Sequence, residues 1–174
     1  MTNPKKNNHE KEAYRVFFLA AALEAVVAPA LLLCIRNGYL PSPEGLPPGL
    51  WHAQEMIFGY TFAVIAGYLI TRISRLMLVL LALLWLAGRV SWFIDSGLPT
   101  TVLFITAALF PFVLGILTSQ KFKAAKRVRN RMFTYVLLCL AALSSTFYWL
   151  CYKQHYADAY TTLYITLYLI ALLI

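Results

Sequence analysis

Five ionisable side chains stand where chemistry is unexpected, inside or at the edge of apolar runs: Glu24, His52, Glu55, Arg89 and His155. His52 and Glu55 are three residues apart and so share one face of a helix. A neutral imidazole is the usual nitrogen ligand for a metal or a haem iron, and a guanidinium suits a haem propionate. His52, Glu55, Arg89 and His155 are therefore the candidate cofactor-binding residues, with His52 as the first metal ligand. Each has a plainer reading as well. His52 beside Trp51 suits an anchor at headgroup level, and Glu55 with Arg89 suits an ion pair that locks two helices together. Glu24, in the middle of an apolar run, is costly there unless paired or protonated, which makes it a functional candidate or a hydrogen-bonding group reaching a neighbouring helix.

The elements that hold these residues follow from composition. Of 174 residues, 61% are hydrophobic and 13% charged, against about 25% charged in a soluble domain. The class is all-α, a polytopic transmembrane helical bundle. Six spans are predicted, at about 14–34, 51–71, 76–94, 100–119, 132–152 and 160–174, after a polar tail at 1–13. Pro29 and Pro111 kink the first and fourth. A cleavable leader is the competing reading of the first, since Ala28-Pro29-Ala30 has the small-x-small form, but Glu24 argues against it. The sixth run is too short to cross a hydrocarbon core about 30 Å thick. The expectation is a truncated chain or a fragment whose missing C-terminal helices, or another subunit, complete the bundle.

Gly38, Pro41, Pro43, Gly45, Pro47, Pro48 and Gly49 mark the first loop, while Arg72–Arg75 leaves only a tight turn between spans 2 and 3. Twelve Lys and Arg fall on one side of the alternating spans, six of them between Lys121 and Arg131, against Arg36, Arg89 and Lys153 on the other. The N-terminus is thus expected in the cytoplasm, with the candidate residues near the outer face. The net charge of +8 is read as this orientation signal lying against anionic lipid, not as nucleic-acid binding.

Gly59, Ala63 and Gly67 form a small-residue stripe for close helix packing or access by a planar cofactor. Of three cysteines, Cys34 and Cys151 stand at outer helix ends, open to oxidation or copper ligation, and Cys139 is mid-span. No CxxC, phosphate-binding glycine loop or nucleophile elbow is present.

The run Leu50-Trp51-His52-Ala53-Gln54-Glu55-Met56-Ile57-Phe58-Gly59-Tyr60, with Ala63-Val64-Ile65-Ala66-Gly67-Tyr68-Leu69 after it, resembles the NnrS family. Leu84-Trp85-Leu86-Ala87-Gly88-Arg89 resembles that family's next signature, and Arg129-Asn130-Arg131 resembles it less specifically. The resemblance implies a multi-pass protein of the bacterial inner membrane, associated with haem and copper and with the response to nitric oxide and nitrosative stress, often beside denitrification genes. Two features depart from the family. Gln54 stands where its members usually carry a second His, and the turn at Arg72–Arg75 is shorter than usual. The competing functions are half of a proton-coupled secondary transporter, with Glu24 as the coupling carboxyl, and a cofactor-free assembly partner.

Overall fold

A computed structural model of the chain describes residues 10–43, 46–70, 72–93, 100–123 and 128–172. Strand β1 (Glu10–Glu12) leads into helix α1 (Ala13–Arg36). Next comes a helical arm in three parts: α2 (Pro48–Gln54), a π-helical segment (Glu55–Thr61) and α3 (Phe62–Leu69). Strand β2 (Arg72–Ser74), α4 (Arg75–Val90) with a 3₁₀ turn (Ser91–Phe93), α5 (Thr100–Lys123), α6 (Val128–Tyr152) and α7 (Tyr156–Ala171) complete the order.

The ends of these helices have local causes. Pro48 occupies the first turn of α2, where its missing N–H removes nothing, so the arm starts ahead of the predicted Trp51. At the end of α1, Gly38 takes φ 76° and the N–H of Tyr39 returns to the Cys34 carbonyl, closing the helix in a left-handed cap. α6 closes in the same way, with His155 N–H on the Leu150 carbonyl, but Gln154 holds the left-handed position at φ 58°. The chain then re-enters helix at once, and α7 begins at Tyr156, ahead of the expected 160. Ser74 caps α4 by accepting from Met77 N–H at 3.4 Å.

The structure alters two further expectations. Residues 10–12 of the expected tail form a strand, and the turn between spans 2 and 3 contains its antiparallel partner, with Lys11 opposite Ile73. Glu10 pairs in register with Ser74 and Glu12 with Arg72. The basic residues from Lys121 to Arg131 have side chains outside the described residues, as does the turn at 94–99.

Consecutive helices pack as neighbours, α4 on α5, α5 on α6 and α6 on α7, while α1 lies against α3 and the π segment. Among the described residues, three helices are long and apolar enough to cross a membrane, Ala13–Arg36, Arg75–Phe93 and Met132–Tyr152, and Ile105–Gln120 is a shorter apolar one. Their outer surfaces are hydrocarbon: Leu19, Leu23, Val26 and Leu33 of α1 are all more than half exposed. Beneath them, Phe17, Leu50, Phe62, Leu81, Leu114, Leu140 and Phe147 form the packed interior. Large exposed apolar faces over such a core are the arrangement expected when lipid is the solvent.

The small-residue stripe is a packing surface against α1 at its far end, where a Cβ on Gly67 would come within 2.8 Å of the Phe18 ring. Glycine at this position leaves room for the Phe18 ring to lie against the α3 backbone.

Candidate functional site

Among the described residues, seven polar or charged ones are buried: Glu24, Gln54, Glu55, Thr118, Ser144, Thr162 and Thr166. The four hydroxyls are satisfied within their own helices, as with Thr118 on the Leu114 carbonyl at 2.8 Å and Thr166 on the Thr162 carbonyl at 2.8 Å. The remaining three need partners from elsewhere in the fold. They find them in one cluster, to which α1, the α2–π junction, α4 and α6 each contribute.

Glu55 and Arg89, expected as neighbours across the spans 2 and 3 hairpin, meet at 2.8 Å between Oε2 and Nη1, with side chains only 3% and 10% exposed. Gln54 donates its Nε2 hydrogen to the other Glu55 oxygen. The Tyr148 hydroxyl donates to Gln54 Oε1 at 2.9 Å, and Arg89 Nη2 donates to the Tyr148 oxygen at 3.5 Å. These contacts form a closed circuit of Glu55, Gln54, Tyr148 and Arg89 that spans three helical elements.

Glu24 joins the circuit from α1, through the space above Gly59. A Cβ built on Gly59 would lie 2.6 Å from Arg89 Nη1, 3.1 Å from Glu55 Oε2 and 3.2 Å from Glu24 Oε1. Three charged groups thus converge on the notch left by a missing side chain. The Gly59 carbonyl is held in turn by Trp85 Nε1–H at 3.0 Å. The notch lies in the π segment, where the Thr61 hydroxyl donates to the Met56 carbonyl at 2.9 Å. Such wide turns inside α-helices are rare and recur at functional sites.

Aromatic rings seal the cluster. Trp92 stacks on Tyr148 with centroids 5.5 Å apart, and Phe58 packs on both Phe147 and Tyr148. Among the described residues, four buried nitrogens have no hydrogen-bond partner: Trp51 Nε1, His52 Nδ1, Arg89 Nε and Trp92 Nε1.

The residues singled out from sequence therefore separate. Glu24, Glu55 and Arg89 come together. His52 is partly exposed at the start of the arm with a buried, unpartnered Nδ1. His155 is exposed and faces Asp158 at 3.4 Å, away from the cluster. Gln54 and Tyr148 were not singled out as site residues. Gln54 is fully buried inside the circuit, and its place beside Glu55 in the motif was the available signal. Cys34, Cys139 and Cys151 are free thiols.

A single imidazole is enough to ligate one haem iron; with Nδ1 of the partly exposed His52 enclosed by protein, the nitrogen it could offer is Nε2. Copper fits less well, because among the described residues no group of three or more His, Cys, Asp or Glu could hold a metal ion. Arg89, expected to face a propionate, has both Nη atoms engaged by Glu55 and Tyr148.

The family model described as NnrS protein matches residues 10–174. Comparison with curated proteins and with solved structures gave no match.

Proposed function

Since this chain belongs to the NnrS family, we propose that it is a multi-pass protein of the bacterial inner membrane that acts in the response to nitric oxide, and that it holds haem through His52. One observation carries the haem reading: His52, within the run that resembles the family, is partly exposed near the start of the arm while its Nδ1 is turned into the protein, so the ring could offer its Nε2 to a ligand. Haem bound there would supply an iron centre able to take nitric oxide.

The chain's own contribution is to position this ring. Gln54 and Glu55, two and three residues after His52, are fixed by Tyr148 and Arg89, so the arm cannot rotate about its axis without breaking the circuit. Trp51, 1% exposed and edge-on to Phe93 at 5.6 Å, anchors the residue on the other side. His52 is thus held between two immobilised neighbours, the positioning a ligand to a bound cofactor would need. Copper association is carried by the family alone.

Haem titration of the purified full chain tests the reading. A Soret band is expected with wild type, lost in His52→Ala and kept in His155→Ala. A His52→Ala protein with the wild-type spectrum overturns His52 as the ligand. A wild-type chain that takes up no haem overturns the cofactor.

A further inference from the structure

The Glu24–Glu55–Arg89 cluster has a charge count that the haem reading does not use. Two carboxyls and one guanidinium converge on the Gly59 notch, and the polar neighbours that complete the circuit, Gln54 and Tyr148, are neutral. With both carboxylates ionised, the cluster would hold an unbalanced negative charge among side chains that are all at most one-tenth exposed. An uncompensated buried charge is strongly disfavoured. We infer that Glu24 and Glu55 form a proton-binding site, one proton shared between the two carboxyls beside Arg89.

The convergence on Gly59 supports this. Glu55 Oε2 and Glu24 Oε1 lie 3.1 and 3.2 Å from the point a Cβ there would occupy, and Arg89 Nη1 lies 2.6 Å from it. Two ionised carboxylates can only accept hydrogen bonds, so a proton on one of them turns a repulsive neighbour into a donor. With that proton present, two carboxyls and one guanidinium sum to zero.

Two further polar groups border the cluster: Arg89 Nε and Trp92 Nε1 are buried donors with no acceptor among the described residues, and both side chains touch Tyr148. The other ionisable groups facing the cluster are few. α6 brings Tyr148 and Cys151, and α2 brings His52 three residues before Glu55. α5 has no ionisable residue before Lys121, and His155 and Asp158 of α7 are exposed.

Infrared spectroscopy of the full chain as purified, without added haem, tests the site. Wild type at neutral pH is expected to show the C=O stretch of one buried protonated carboxyl, sensitive to D₂O and lost as the pH is raised. Glu24→Gln and Glu55→Gln should each abolish it, because the carboxyl that remains is neutralised by Arg89. Circular dichroism establishes that the variants are folded; if one is not, the other and the wild-type titration decide. No such band in wild type at neutral pH, or a band that survives both substitutions, overturns the proposal. A band seen in choline buffer but absent in sodium buffer also overturns it, in favour of a monovalent metal cation. The measurement needs no haem, so the loss of the haem reading leaves it standing.

Discussion

Adding one methyl group at Gly59 tests the cluster most directly. In Gly59→Ala the new Cβ meets Arg89 Nη1 at 2.6 Å, against a comfortable contact of about 3.5 Å, so the guanidinium must retreat by about 0.9 Å. A free side-chain end would move at little cost. This one is tied to Glu55 at 2.8 Å and to Tyr148 at 3.5 Å, and a retreat of that size takes the ion pair past hydrogen-bonding range. Glu55 and Glu24, 3.1 and 3.2 Å from the same Cβ, have to give way as well. Overpacking of this kind costs about 1–3 kcal/mol, offset by about 0.5–1 kcal/mol from alanine's better helix propensity. Gly88→Ala is the control, because its Cβ meets nothing closer than the Ala107 Cα at 3.6 Å, an ordinary contact. Unfolding in mixed detergent micelles, followed by circular dichroism, should place Gly59→Ala about 1–3 kcal/mol below Gly88→Ala. In an Arg89→Ala background the difference should shrink, since the atom in conflict is gone. Equal stability of the two variants would refute the convergence of three charges over Gly59.

Three more expectations follow from the same contacts. Arg89→Ala should cost about 3–5 kcal/mol and Glu55→Ala less, because Glu24 remains to pair with Arg89 in the second case but two unpaired carboxyls remain in the first; strictly additive losses in the double variant would show that the pair is uncoupled. Trp85→Phe removes the donor to the Gly59 carbonyl and should cost about 1 kcal/mol by the same unfolding assay, and no loss would show that the bond at 3.0 Å does not hold the π segment. For orientation, alkaline phosphatase fused after Pro43 should be active and after Lys123 inactive, and the reverse would invert the proposed topology.

Much of the helical order is legible in the sequence because apolar runs, proline-rich loops and cap residues are local signals. Gly38 illustrates this: a glycine after an apolar run marks the left-handed cap that ends α1. The pairing of Glu55 with Arg89 is also legible, since a tight turn between two helices places residues of similar depth side by side. Glu24 is harder, because nothing local specifies which helix α1 packs against. Its burial in an apolar run indicates that it needs a partner, and only the packing of α1 on the π segment identifies that partner. Tyr148 lies 59 residues beyond Arg89 and is one of 11 tyrosines, so its role depends wholly on the tertiary arrangement. Gln54, read against the family as a lost ligand, is chemically suited to where it lies: one amide donates to Glu55 and accepts from Tyr148 at the same time.

The π segment links these findings, because it has no compositional signature and yet determines how the motif is presented. An α-helix turns about 100° per residue, so inserting one residue into a turn rotates everything before it by about that angle relative to everything after. In the arm, α3 is fixed by Phe62, Ala63, Ala66 and Gly67, all buried against neighbouring helices. Trp51 and Gln54 lie on the other side of the wide turn and Glu55 begins it, and all three are buried as well. A regular helix that kept the α3 face inward would turn Glu55 away from Arg89 and put the Gly59 notch elsewhere. The wide turn lets both halves bury their own faces, with its loosened carbonyls satisfied by Trp85 at Gly59 and by Thr61 at Met56. The break in regular structure therefore falls where the chain places its charges.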